Sequence, residues 1–296
     1  RHQTLVALLG SVLLSTACGD DDDGGAAETG STPGGTMTAT GPNATETSST
    51  SEDDVDDSGA DSNPHPGDCD APSADVVSET VSFATSDDKQ IVGTVVHPRE
   101  GTCLPAVLMI HQYMRDRWQW GGLPEQLAER GYWVLAIDLR GHGDSDEQDG
   151  YLPELLTDPD QAPLDAEAAL QWLRQREEID DRRIGMVGTS IGAYLAAVAF
   201  IQQWGVSPIV ALSPLNQAIR GLARHDGDIV LHDLYCIATE HDSDGAQARS
   251  CEELVQAATG NVQVEIFDGT ADHGIEILEA RPELTAPIID WMVQTL

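Results

Sequence analysis

Lysine is all but missing from this chain of 296 residues: Lys89 is the only one, and Lys plus Arg number 15 against 51 Asp plus Glu. A formal net charge of −36 excludes the phosphate contacts on which nucleic-acid binding depends. The sequence has no glycine-rich phosphate loop and no Cys–His cluster at metal-ligand spacing, so neither an organic cofactor nor a metal is expected. No internal repeat occurs, which excludes solenoid and propeller architectures.

The acidic residues that are present are unevenly placed. Fourteen fall between Gly19 and Asp70, a stretch with no Lys or Arg in which Gly, Ser, Thr and Pro dominate. Such a segment cannot bury enough apolar surface to offset its ordering entropy. Residues 19–73 therefore read as a disordered acidic linker, with order expected from about Ala74. Ahead of it, Arg1 and His2 precede an apolar run, Leu5 to Leu14, and then Ser15-Thr16-Ala17-Cys18. That run is far short of the roughly 20 residues a membrane-spanning helix needs. Its order of charge, apolar run and small residues is that of an export signal. The end resembles a bacterial lipobox, with Ser15 where the pattern usually has Leu. The resemblance implies cleavage before Cys18, lipidation of its sulfur, and an exported domain held at a membrane by the linker; an ordinary secretory signal is the alternative.

Export gives the other four cysteines a meaning, because disulfides persist in oxidising compartments. Cys69, Cys103, Cys236 and Cys251 allow three pairings. Cys69–Cys103 and Cys236–Cys251 are favoured, each pair being close in sequence and flanking a strand; a free buried thiol at Cys236 is the alternative.

From Val76 onward, strand-like and helix-like segments alternate. Val76 to Thr85 and Gln90 to Val96 read as a hairpin around Ser86-Asp87-Asp88. Further strands are expected at Ala106 to His111, Tyr132 to Leu139, Ile184 to Val187, Pro208 to Leu212, Tyr235 to Ala238 and Val262 to Phe267. Helices are expected at Leu123 to Glu129, Leu164 to Glu178, Ile191 to Gln203, Ala246 to Ala258 and Gly274 to Leu296, the last interrupted at Pro282. Continuous apolar strands alternating with helices predict an α/β fold: an eight-stranded, mostly parallel sheet with helices on both faces, over residues 74–296.

In such sheets the chemistry gathers at the carboxyl ends of the strands. Ser190 lies there, in Gly188-Thr189-Ser190-Ile191-Gly192, between an apolar strand and a helix of small residues. This is the nucleophile-elbow pattern, in which a sharp turn lifts the hydroxyl clear of the sheet and the helix aims free N–H groups at a developing oxyanion. A serine hydroxyl needs a base, and the elbow needs its acid and histidine later in the chain. His273 lies in the loop after the last strand, just before the terminal helix, with His232 and His241 as fallbacks. Asp242 ends the preceding strand and is the candidate acid; Asp244 and Glu240 are alternatives.

By these motifs, the stretch from Val76 to Leu296 resembles the α/β-hydrolase superfamily, and within it the compact dienelactone-hydrolase-like and esterase-like members. LMIHQY (Leu108 to Tyr113) is similar to a strand-end His-Gly element, with Gln112 in place of Gly, and DLRGHGDS (Asp138 to Ser145) is similar to the loop after the next strand. The resemblance implies a serine hydrolase acting on small-molecule carboxylic esters through Ser190, His273 and Asp242. It also implies an oxyanion hole from the backbone amides of Ile191 and Tyr113. His111, Asp138, Arg140 and His142 are then structural, and Trp118 and Trp120 line an acyl pocket or cover the surface. Only about twenty residues separate Leu212 from Tyr235, so little or no cap domain is expected. Implied too are a monomer, no cofactor, and contact with the membrane only through a lipid on Cys18. An exopeptidase or amidase with the same triad, or a non-catalytic binding module on the same fold, are the rival readings.

Overall fold

The computed structural model describes residues 69–296. The expected signal segment, Cys18 and residues 19–68 of the expected linker lie outside the described residues. Residues 69–73, read from composition as the end of the linker, are held by the folded domain. The Cys69–Cys103 disulfide anchors them, the Thr102 amide donates to Asp70, and the Ser73 amide donates to Glu100. Composition is blind to such ties.

The chain first makes the expected hairpin, β1 (Val76–Ala84) and β2 (Gln90–Pro98). Six strands follow: β3 (Leu104–Ile110), β4 (Trp133–Ile137), β5 (Ile179–Thr189), β6 (Ile209–Leu212), β7 (His232–Thr239) and β8 (Thr259–Phe267). They form one sheet in the order β1-β2-β4-β3-β5-β6-β7-β8. β2 runs against both its neighbours, β1 and β4; along the sheet from β4 to β8 every pairing is parallel. This is the mixed, mostly parallel eight-stranded sheet that the sequence predicts.

The central strands are apolar throughout because both faces are covered. Along β3, Ala106, Leu108 and Ile110 enter one core, while Val107 and Met109 enter the other. The first core is closed by α2 (Ala162–Arg174), α3 (Ile191–Ile201), α4 (Asn216–Ala223) and α5 (Ala246–Ala257). The second is closed by α1 (Leu123–Ala128), α6 (Ile275–Ala280) and α7 (Thr285–Thr295). The expected terminal helix is indeed broken at Pro282, where a 3-10 turn separates α6 from α7. The Cys236–Cys251 disulfide ties β7 to α5 within the first core, so Cys236 is not a free thiol. Between β6 and β7 the chain forms a single short helix, α4, and no cap domain. Among the described residues no helix is long and apolar enough to cross a membrane.

Candidate active site

Ser190 stands between β5 and α3 with φ 50° and ψ −116°, a conformation costly for a residue with a side chain. The two flanking glycines explain how the turn closes. A Cβ on Gly188 would fall 2.1 Å from the carbonyl carbon of Gly192, and one on Gly192 would fall 2.0 Å from the Ile110 oxygen. The elbow is thus pressed against the end of β3, where only glycine fits. The Ser190 amide donates to Leu212 at 2.8 Å, fixing the turn to β6. Its Oγ lies 3.4 Å from the hydroxyl of Tyr194, one helical turn along α3.

The β7 and β8 ends supply the other two predicted side chains. Asp242 is 4% exposed and its Oδ2 lies 2.6 Å from Nδ1 of His273. The His273 Nε2 makes no hydrogen bond among the described residues. The structure therefore joins Asp242 to His273 but leaves the Ser190 hydroxyl on Tyr194. Tyr194 links the groups electrostatically. Burial raises its hydroxyl above the ordinary tyrosine range, and the nearby charge of Asp242 adds to this against the pull of Ser190. The alternatives separate clearly. Asp244 is exposed and only its carbonyl is bonded, to Arg249. Glu240 binds the Gly269 amide. His232 begins β7, at the far end of that strand, and pairs with Asp233 and Thr259; His241 pairs with Glu240.

The loop carrying His273 is braced on every side. The Gly274 amide donates to Ser213 Oγ at 2.9 Å and the Ile275 amide to Gln112 Oε1 at 2.7 Å. Glu276 accepts from the His273 amide at 3.2 Å, and Asp272 is paired with Arg281 and bonded by Thr270.

The amides of Ile191 and Tyr113 donate to no group among the described residues. The first is a free N–H at the start of a helix, and the second follows β3 in the turn His111-Gln112-Tyr113. The four residues expected to be structural are bonded as such. His111 Nε2 accepts from the Leu139 amide and its Nδ1 donates to the Gln112 carbonyl, so the ring is neutral; burial holds its pKa down to about 3. His142 accepts from the Met114 amide through Nε2, and burial lowers its pKa too. Asp138 forms a buried ion pair with Arg117 and accepts the Asp144 amide. Arg140 spans Asp165 and Asp87, and its hydrogen bond lowers Asp87 to about 2. Trp120 belongs to the core under α1 and α7, and Trp118 is 63% exposed beside the Arg117 guanidinium.

Sequence reasoning passed over three residues here: Tyr194, Gln119 and Ser213. Tyr194 was within reach, because positions i and i+4 share a helix face. Gln119 donates to Thr189 Oγ1 at 2.9 Å and accepts from the Gln112 amide, a contact that no local pattern announces.

Comparison with known proteins agrees with this architecture. Residues 87–294 match the family described as X-Pro dipeptidyl-peptidase (S15 family). The chain is 33% identical over 105 residues to an uncharacterized 31.7 kDa protein of Escherichia coli, of which it covers 32%. It is 26% identical over 134 residues to dipeptidyl aminopeptidase BIII of Pseudoxanthomonas mexicana, which is 38% of this chain and 18% of that one. In structure it is similar to the acetyl xylan esterase of Paenibacillus sp. R4, with TM-score 0.59 and 21% identity over 73% of this chain and 84% of that one. It is also similar to the dienelactone hydrolase of Anabaena variabilis, with TM-score 0.58 and 18% identity over 75% and 99%. The chain belongs to the S15 peptidase family and has the α/β-hydrolase fold.

Proposed function

We propose that the protein is a serine hydrolase that cleaves carboxylic esters through Ser190, His273 and Asp242. The observation that carries the reading is the 2.6 Å bond between buried Asp242 and His273 Nδ1, made at the same end of the sheet as a serine on a strained elbow. A carboxylate on Nδ1 fixes the proton there and leaves the Nε2 lone pair free to act as a base. As substrate enters, the Ser190 hydroxyl leaves Tyr194 for Nε2, gives up its proton and attacks the carbonyl carbon. The amides of Ile191 and Tyr113 receive the oxyanion. The imidazolium, stabilised by Asp242, returns the proton to the leaving alcohol. Water then enters, loses a proton to the same nitrogen and attacks the acyl carbon; as the acyl–Oγ bond breaks, the imidazolium gives that proton to Ser190 Oγ and the acid departs. With α4 as the only helix between β6 and β7, the site suits small esters reached from solvent.

A second reading, cleavage of dipeptides from peptide N-termini, is favoured by the family match and by the dipeptidyl aminopeptidase relative. The same triad serves both, because the leaving group is chosen by pocket shape. Turnover of p-nitrophenyl acetate against glycyl-prolyl p-nitroanilide separates them. A fluorophosphonate probe tests catalysis itself: Ser190 becomes labelled, and Ser190→Ala takes up no label. An unlabelled wild-type protein would leave only a binding module. We place the enzyme outside the cytoplasm, lipidated at Cys18, a reading the two disulfides support. Incorporation of labelled palmitate that is lost in Cys18→Ala tests it.

A further inference from the structure

Gln112 stands where the resembling superfamily has glycine, and its side chain is not idle. It is 7% exposed and reaches 163 residues along the chain to accept the Ile275 amide at 2.7 Å. Ile275 opens α6, whose first N–H groups have no partner within the helix. Two side chains from other strand ends take those amides in succession: Ser213, after β6, takes Gly274, and Gln112, after β3, takes Ile275. The fit is close. Gly274 has φ +57°, and a Cβ there would lie 2.2 Å from Gln112 Oε1. The backbone of Gln112 is fixed as well, since His111 Nδ1 donates to its carbonyl and its amide donates to Gln119 Oε1, whose side chain continues to Thr189 beside Ser190.

One residue thus touches three parts of the site. Its main chain leads into the Tyr113 amide, its amide connects through Gln119 to the elbow, and its side chain holds the Ile275 amide, two residues after His273. We infer that Gln112 is a positioning residue that sets His273 relative to the oxyanion amide of Tyr113. The inference rests on the triad proposed above. It acts through the histidine's backbone and touches no reacting atom, so it affects the geometry of the chemical step more than the binding of substrate.

The test uses Gln112→Met, which keeps length but has no strong acceptor, and Gln112→Gly, which restores the superfamily residue. The second variant carries the test should the first unfold. With p-nitrophenyl acetate, kcat falls about 10- to 100-fold, the scale of a misplaced catalytic group, while KM stays within about twofold. Hydrogen–deuterium exchange of a peptide spanning residues 272–278 speeds up relative to wild type, with melting temperature little changed. Wild-type kcat in a folded variant overturns the inference, as does a lowered kcat with unchanged exchange in that peptide. Failure of wild-type Ser190 to take up a fluorophosphonate is a different result: it sinks the hydrolase reading and this inference with it.

Discussion

Asp242→Asn is the sharpest perturbation of the proposed site, because it changes one atom type without changing shape. As a carboxylate, Asp242 can only accept, so its bond to His273 Nδ1 forces the ring proton to that side and turns the bare Nε2 outward. An asparagine can present its NH2 instead. The ring then takes the other tautomer, with its proton on Nε2 and nothing there to receive the serine proton. The side chain of Asp242 is 5% exposed, so little water is at hand to replace the lost charge opposite the imidazolium. Replacement of a triad aspartate in this way costs about 10⁴ in kcat, which is about 5.4 kcal/mol at 1.36 kcal/mol per decade. We expect that loss with KM within a few-fold of wild type and an unchanged far-ultraviolet circular dichroism spectrum. The assay is steady-state hydrolysis of p-nitrophenyl acetate at pH 8, with Asp244→Asn as control. Asp244 is exposed and its carboxylate has no partner among the described residues, so that variant keeps wild-type turnover. A full-rate Asp242→Asn, or a loss confined to Asp244→Asn, would refute the assignment.

Three further outcomes follow from other parts of the structure. His111 titrates near 3 when folded and near 6.5 when unfolded, so between those values the unfolded chain binds the extra proton. Its contribution is complete above pH 6.5 and declines as pH falls, by about 2 kcal/mol at pH 5; in urea titrations, the wild-type advantage over His111→Gln shrinks by that amount from pH 8 to pH 5, and a constant difference refutes it. Removing the Cys236–Cys251 link as the double alanine variant opens a loop of sequence separation 15, a loss of about 3 kcal/mol read from the urea midpoint; an unshifted midpoint contradicts the structural role given to it. Gly192→Ala drives a methyl onto the Ile110 carbonyl and costs about 3 kcal/mol or more, so a variant with a wild-type melting curve would mean the elbow is not packed as described.

The fold was legible because its signals are local. Short apolar runs such as AVLMI of β3 and WVLAI of β4 read as strands covered on both sides, and their spacing by helical stretches implies parallel pairing. Boundaries were less legible wherever charge and pairing disagree. β5 begins at Ile179, five residues before the expected Ile184, because Ile179 already pairs with Leu104; Asp180 to Arg183 then bulge out of the β3 ladder, polar side chains in reach of water, before pairing resumes at Ile184. α2 begins at Ala162 and not Leu164, since Pro163 in the first turn supports a helix start. The residues from 69 to 73 looked like linker by composition, although the expected Cys69–Cys103 bond and the backbone bonds of Asp70 and Ser73 tie them to the domain.

The same distinction explains what could be read of the site. Ser190 was visible because its conformation demands glycine on either side, and that demand is written within five residues. Asp242 and His273 stood out as candidates because each lies in the loop after a strand, three residues past β7 and six past β8, and strand ends are where this architecture collects its chemistry. Gln112 was visible only as a departure from a pattern. Its meaning lies in an amide 163 residues away, and nothing near it in sequence names that partner. The close approach at Gly274 makes the pairing reciprocal: the loop can come this near only because position 274 has no side chain, and the approach is useful only because position 112 has a long one. If that is the logic of the site, residues 112 and 274 form one structural unit. Gly274→Ala should then fail at wild-type Gln112 through contact with Oε1 as well as through its φ of +57°, and Gln112→Gly in the same chain should recover part of the lost thermal stability. Strictly additive losses in that double-mutant cycle would show that the two positions answer to separate constraints.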